Sequence, residues 1–143
     1  MLTRQAMWVY PLLVFIGFLI ATNGFDIAAR IVVVGQPAPY ACHQSFYYMA
    51  SQPIASLLLA WPFAALGYLA FCLSQRTDDL KAFLFFTGFW LVLAGMYGVD
   101  FVSAQQAMKA AAWTAATLSI GLLPFLSIPV LVVALIASRL IKP

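Results

Sequence analysis

Three polar side chains in this sequence share a spacing that can do chemistry. Asn23, Asp26 and Arg30 fall at i, i+3 and i+7, one face of an α-helix, and Asp26 and Arg30 stand in the acid-first i, i+4 order that favours a helical ion pair. Asp26 lies 19 residues after Met7 and Asp100 lies 18 after Ala82. At 1.5 Å per residue each is about 28 Å along its own apolar segment. Asp100 is therefore expected beside Asp26, with His43 and Lys109 in the adjoining segments. Such a set can serve as a polar site at a membrane surface, or as a satisfied ion pair that caps and orients helix ends. Charges near an interface cost far less than charges at the midplane, so the structural reading comes first.

Stronger chemical signatures are missing from the sequence. A relay can be drawn from Ser45 or Ser103 through His43 to Asp100, yet no spacing orders it. Cys42, His43, Met49, Met96 and Met108 suit copper(I) by ligand type, but their spacings match no ligand pattern, and no metal is expected. A single histidine rules out bis-histidine haem within one chain. Gly-rich phosphate loops and nucleophile elbows are absent, so no cofactor is expected and the reading leans away from an enzyme.

The elements that must carry these residues belong in lipid. Of 143 residues 65% are hydrophobic and 8% charged, where a soluble domain is roughly half apolar and a quarter charged. Mean hydropathy is +1.00. Four segments reach the length of about 20 residues that a hydrocarbon core near 30 Å demands: Met7 to Phe25, Ile54 to Leu73, Ala82 to Val102 and Trp113 to Ser138. The expected fold is all-α: a polytopic, four-transmembrane-helix bundle in one domain, with one longer external loop over residues 26–53. The first segment is too long for a signal-peptide core and lacks a good cleavage site, so it reads as an uncleaved span. Within the loop, residues 30–35 either prolong the first helix or lie in the interface, and 40–51 can form an amphipathic interfacial segment.

Arg4, Arg76, Lys81, Arg139 and Lys142 fall on one side of these spans, with Arg30 and Lys109 on the other. Taking the membrane to be a bacterial plasma (inner) membrane, the positive-inside rule then places both termini in the cytoplasm. Trp8 and Tyr10 are expected to anchor the inner interface, and Tyr40, Tyr47, Tyr48, Tyr97 and Trp113 the outer one. On these boundaries every charge lies at or beyond the membrane edges. The basic residues are too scattered for nucleic acid.

Helices associate in lipid by close backbone approach. Gly17, Ala21, Gly24 and Ala28 make one small-residue face, and Gly88, Gly95 and Gly98 another. Pro62, Pro124 and Pro129 interrupt spans and free the carbonyls of Leu58, Ile120 and Phe125, which Ser119 and Ser127 lie close enough to help satisfy. Apolar spans with small-residue faces and uncharged interiors point to a non-catalytic subunit or accessory or assembly factor of a larger inner-membrane complex. Its partners are then membrane lipid and other membrane subunits, or copies of itself. A homo-oligomeric transporter or channel with kinked helices 2 and 4 is the alternative, and a membrane enzyme at the outer interface the third.

Overall fold

The computed structural model describes the backbone of residues 2–143 and the side chains of residues 7–143, so the side chain of Arg4 lies outside the described residues. The described residues are helical throughout their regular structure. The first rod runs through α1 (Leu2–Leu19), a π-turn (Ile20–Gly24) and α2 (Phe25–Val32). Then come α3 (Ala38–Ser51), α4 (Pro53–Ser74), α5 (Asp79–Lys109), α6 (Trp113–Gly121) and α7 (Leu123–Leu140). Among the described residues four helices are long and apolar enough to cross a membrane: Met7–Val32, Pro53–Ser74, Asp79–Lys109 and Trp113–Leu140. The protein is an integral membrane protein built as a helical bundle.

α4 and α5 form the centre, packed on each other and both on α7; α1 lies against α4, and α2 and α6 against α5. Phe63, Leu66, Leu93, Leu123 and Tyr97 are fully buried at this junction. Tyr97 meets Phe63 edge to face at 5.0 Å, and its hydroxyl donates to the Leu59 carbonyl at 2.7 Å. That bond sits one residue from the carbonyl which Pro62 leaves without a partner, so a tyrosine from the neighbouring helix supports the turn that Pro62 interrupts. Tyr97 is thus a core residue, not an interface anchor. Tyr10 is likewise buried, between Phe71 and Phe86.

The expected external loop is largely helical. The first helix passes Phe25 and runs to Val32, where Gly35, at φ +77°, turns the chain. Pro37 then precedes α3, with Pro39 in its first turn, where a missing N–H has no intrahelical partner to lose. α5 runs seven residues past Val102 to Lys109. Asp26, Arg30 and Asp100 consequently lie within the candidate spans rather than at or beyond their edges.

The small-residue faces are only partly used. Gly17 and Ala21 are buried, and a Cβ on Gly17 would meet Trp90 Nε1 at 2.5 Å. Gly24 and Ala28 are exposed, and Ala29 is buried in their place. The reason is the π-turn. It inserts one residue, so every later side chain is displaced by about 100° from its position on a continuous α-helix. On the third span Gly98 packs under Phe25, where a Cβ would meet the ring at 2.9 Å, while Gly88 and Gly95 face open space.

The fourth span is broken at Leu122. Pro124 sits in the first turn of α7 and so costs no helical hydrogen bond, while Pro129 lies inside the helix. Ser119 donates to Ala115 O and Ser127 to Leu123 O, each to the carbonyl four residues before it. Neither serves the carbonyl that a proline leaves free.

Candidate functional site

The site begins with the π-turn. Thr22, Asn23 and Gly24 are poor helix formers, and the Thr22 hydroxyl donates to the Phe18 carbonyl at 2.7 Å. On a straight α-helix Asp26 would lie about 180° from Gly17, on the side away from the bundle. The inserted residue swings it inward by about 100°. Asp26 and Arg30 end 7% and 8% exposed.

Each arm of the polar group reaches a different element. Arg30 Nε donates to Asp26 Oδ2 at 2.9 Å, and Gln105 Nε2 of α5 donates to Asp26 Oδ1 at 2.7 Å. Both carboxylate oxygens are therefore engaged. Asn23 Nδ2 donates to Ser45 Oγ of α3 at 3.0 Å, so the first rod is tied to α5 on one side and to α3 on the other. The Arg30 guanidinium carbon stands 5.3 Å from the centre of the Tyr48 ring, within cation–π range. Lys109 Nζ, at the end of α5, donates to the Val33 carbonyl at 3.0 Å, one turn beyond Arg30.

These groups help to line a cavity of about 690 Å³. Thr22, Asn23, Asp26, Arg30, Ser45 and Gln105 are among its polar lining, and Phe18, Leu59, Phe101 and Ile120 among its apolar lining. Every helical segment except α7 contributes. The volume falls within the range of about 300–1,000 Å³ typical of small-molecule sites. The mixed lining fits a molecule with a polar head and an apolar body.

Of the six residues that the sequence groups into one cluster, the structure brings four to this cavity: Asn23, Asp26, Arg30 and Lys109. Asp100 does not line it, and among the described residues it makes no hydrogen bond or ion pair. Its place on α5 is taken by Gln105. Five residues apart on one helix, the two side chains point about 140° away from each other, which separates their faces. His43 is exposed and stacks on Tyr47 at 6.2 Å, away from the cavity. Cys42 is also exposed, whereas Met49 and Met108 line the cavity. Among the described residues no three His, Cys, Asp or Glu side chains gather as a metal site would need.

Gln105 and Tyr48 were not legible as site residues, and Ser45 stood out only as a member of a relay through His43, not as the partner of Asn23. A glutamine three residues beyond the expected end of a span carries no signal, and the tyrosine reads as an ordinary interface anchor. Comparison of the chain with protein-family models, with curated proteins and with solved structures finds no match in any of the three.

Proposed function

We propose that this chain is a non-catalytic binding subunit of a bacterial inner-membrane assembly, with both termini in the cytoplasm, and that it holds an amphipathic molecule in the cavity at its outer side. The cavity carries the reading: about 690 Å³ between helices, with charged and polar side chains and apolar ones in the same lining. Binding is favoured over turnover because its one carboxylate, Asp26, already accepts from Arg30 and Gln105, and no second carboxylate lines the cavity to work with it. The exposed Gly88 and Gly95 on α5, with open space above them, support a helix-to-helix contact with a further subunit.

Protein purified from its native membranes is expected to release about one amphiphile per chain on extraction and mass spectrometry. An Ala55→Trp variant, which fills the cavity, loses it while keeping its helical content. Equal retention by the two proteins refutes the cavity as the site. Migration as a lone monomer in mild detergent refutes the subunit role. Exposed Cys42 is expected to react with an impermeant maleimide from outside the cell; reaction only after the membrane is opened overturns the orientation.

One observation favours a second reading, transport across the bilayer. The fourth span breaks at Leu122, next to the cavity-lining Ile120, and discontinuous helices occur at transporter sites. Single substitutions of Pro124, Pro129 and Asp100 that all leave lipid flux in proteoliposomes unchanged remove its basis.

A further inference from the structure

The cavity has more hydrogen-bond donors than its own residues use. Arg30 spends one of five N–H groups, its Nε, on Asp26, and its four Nη hydrogens have no protein partner among the described residues. Lys109 spends one of three on Val33. The carboxylate that would balance them is single and already doubly engaged, so the lining carries two cations against one anion. Among the acceptors of the lining, Gln36 Oε1 is shut off from solvent, and no donor reaches it. Gln36 is held beside Arg30, since its backbone N–H donates to the Arg30 carbonyl at 3.0 Å.

Resting on the binding reading above, we infer that the cavity takes a lipid whose head is an oxyanion with a neighbouring hydroxyl. The oxyanion accepts from the Arg30 Nη groups and Lys109 Nζ. The hydroxyl donates to Gln36 Oε1 once that side chain rotates toward the cavity it lines, which gives the unpaired acceptor a donor, and the chain lies along Phe18, Leu59 and Ile120. The Tyr48 ring under the guanidinium holds its plane, so that the Nη edge stays directed into the cavity. A phosphocholine head brings a quaternary cation toward Arg30 and Lys109 and, having no N–H or O–H, leaves Gln36 without a donor.

The test is competitive retention in nanodiscs, read by native mass spectrometry, with phosphatidylglycerol, phosphatidic acid, a free fatty acid and phosphatidylcholine. Phosphatidylglycerol is expected to be held most tightly and phosphatidylcholine least. Phosphatidic acid and fatty acid then tell phosphate from carboxylate as the oxyanion. Lys109→Gln, at an exposed position where folding is not at stake, weakens phosphatidylglycerol about tenfold or more, the value of one charge-assisted hydrogen bond. Arg30→Gln weakens it further, and Gln36→Leu abolishes the preference over phosphatidic acid. Lys81→Gln, at the opposite end of α5, changes nothing. Phosphatidylcholine held as tightly as phosphatidylglycerol, or equal losses from Lys109→Gln and Lys81→Gln, overturns the head-group assignment and leaves the cavity reading standing. Retention of no lipid at all overturns both.

Discussion

Replacing Arg30 by methionine removes the counter-ion of a carboxylate that is 7% exposed and leaves Gln105 as its remaining partner. Breaking a buried pair from one side costs about 3–5 kcal/mol, against about 0–1 kcal/mol for an exposed pair. The side chains of Asp26 and Arg30 each keep 10% exposure, and the cavity beside them can admit water, so about 3 kcal/mol is expected. Asp26→Asn strands the guanidinium instead but keeps an acceptor oxygen, and about 2 kcal/mol is expected. In the double variant neither charge remains. Neutral replacement of a buried pair is often close to harmless, so the loss should stay near about 2 kcal/mol, a coupling of about 3 kcal/mol between the two sites. Unfolding by sodium dodecyl sulfate in mixed micelles, followed by tryptophan fluorescence, measures all three. Strict additivity, or an Arg30→Met loss below about 1 kcal/mol, refutes the claim that the π-turn carries this pair into a water-poor interior.

Three further outcomes follow from the packing. Gly98→Leu drives a side chain into the Phe25 ring and should cost about 1–3 kcal/mol by the same titration, whereas Gly88→Leu, facing open space, should cost the isolated chain less than about 0.5 kcal/mol; equal losses contradict the packing. Tyr97→Phe deletes the donor to the Leu59 carbonyl and should lower stability by about 0.6–2 kcal/mol, with no change meaning that water or another group already serves that carbonyl. Ala111, at φ 58°, closes α5 where glycine is usual: the N–H of Ala112 bonds Ala107 O at 2.8 Å and its own N–H bonds Met108 O at 3.0 Å. Ala111→Gly should stabilise by about 0.5–1 kcal/mol after the entropy cost of glycine, and a lower unfolding midpoint counts against the strain.

Much of the architecture is written locally. Four apolar runs of sufficient length require four helices, because a chain in lipid must satisfy its backbone within each segment. The i, i+4 spacing of Asp26 and Arg30 likewise commits them to each other, since a helix brings such neighbours within reach wherever it lies. Periodicity also marked Gly17 and Ala21 as a contact face, and the structure buries both. What periodicity could not reveal is its own interruption. It carries the Gly17 face on to Gly24 and Ala28, and one inserted residue after Ile20 turns those outward and Asp26 and Arg30 inward.

The tertiary structure alone decided which side chains from other elements complete the site. Matching depths along two helices made Asp100 the natural partner of Asp26, but depth is one coordinate and rotation is the other. Rotation on α5 depends on how far the helix runs and on what Phe25 and Trp90 pack against, and it selects Gln105. Gathering α3, α4 and α6 around that pair, and leaving about 690 Å³ between them, depends on contacts between residues far apart in sequence, to which composition and local spacing are blind.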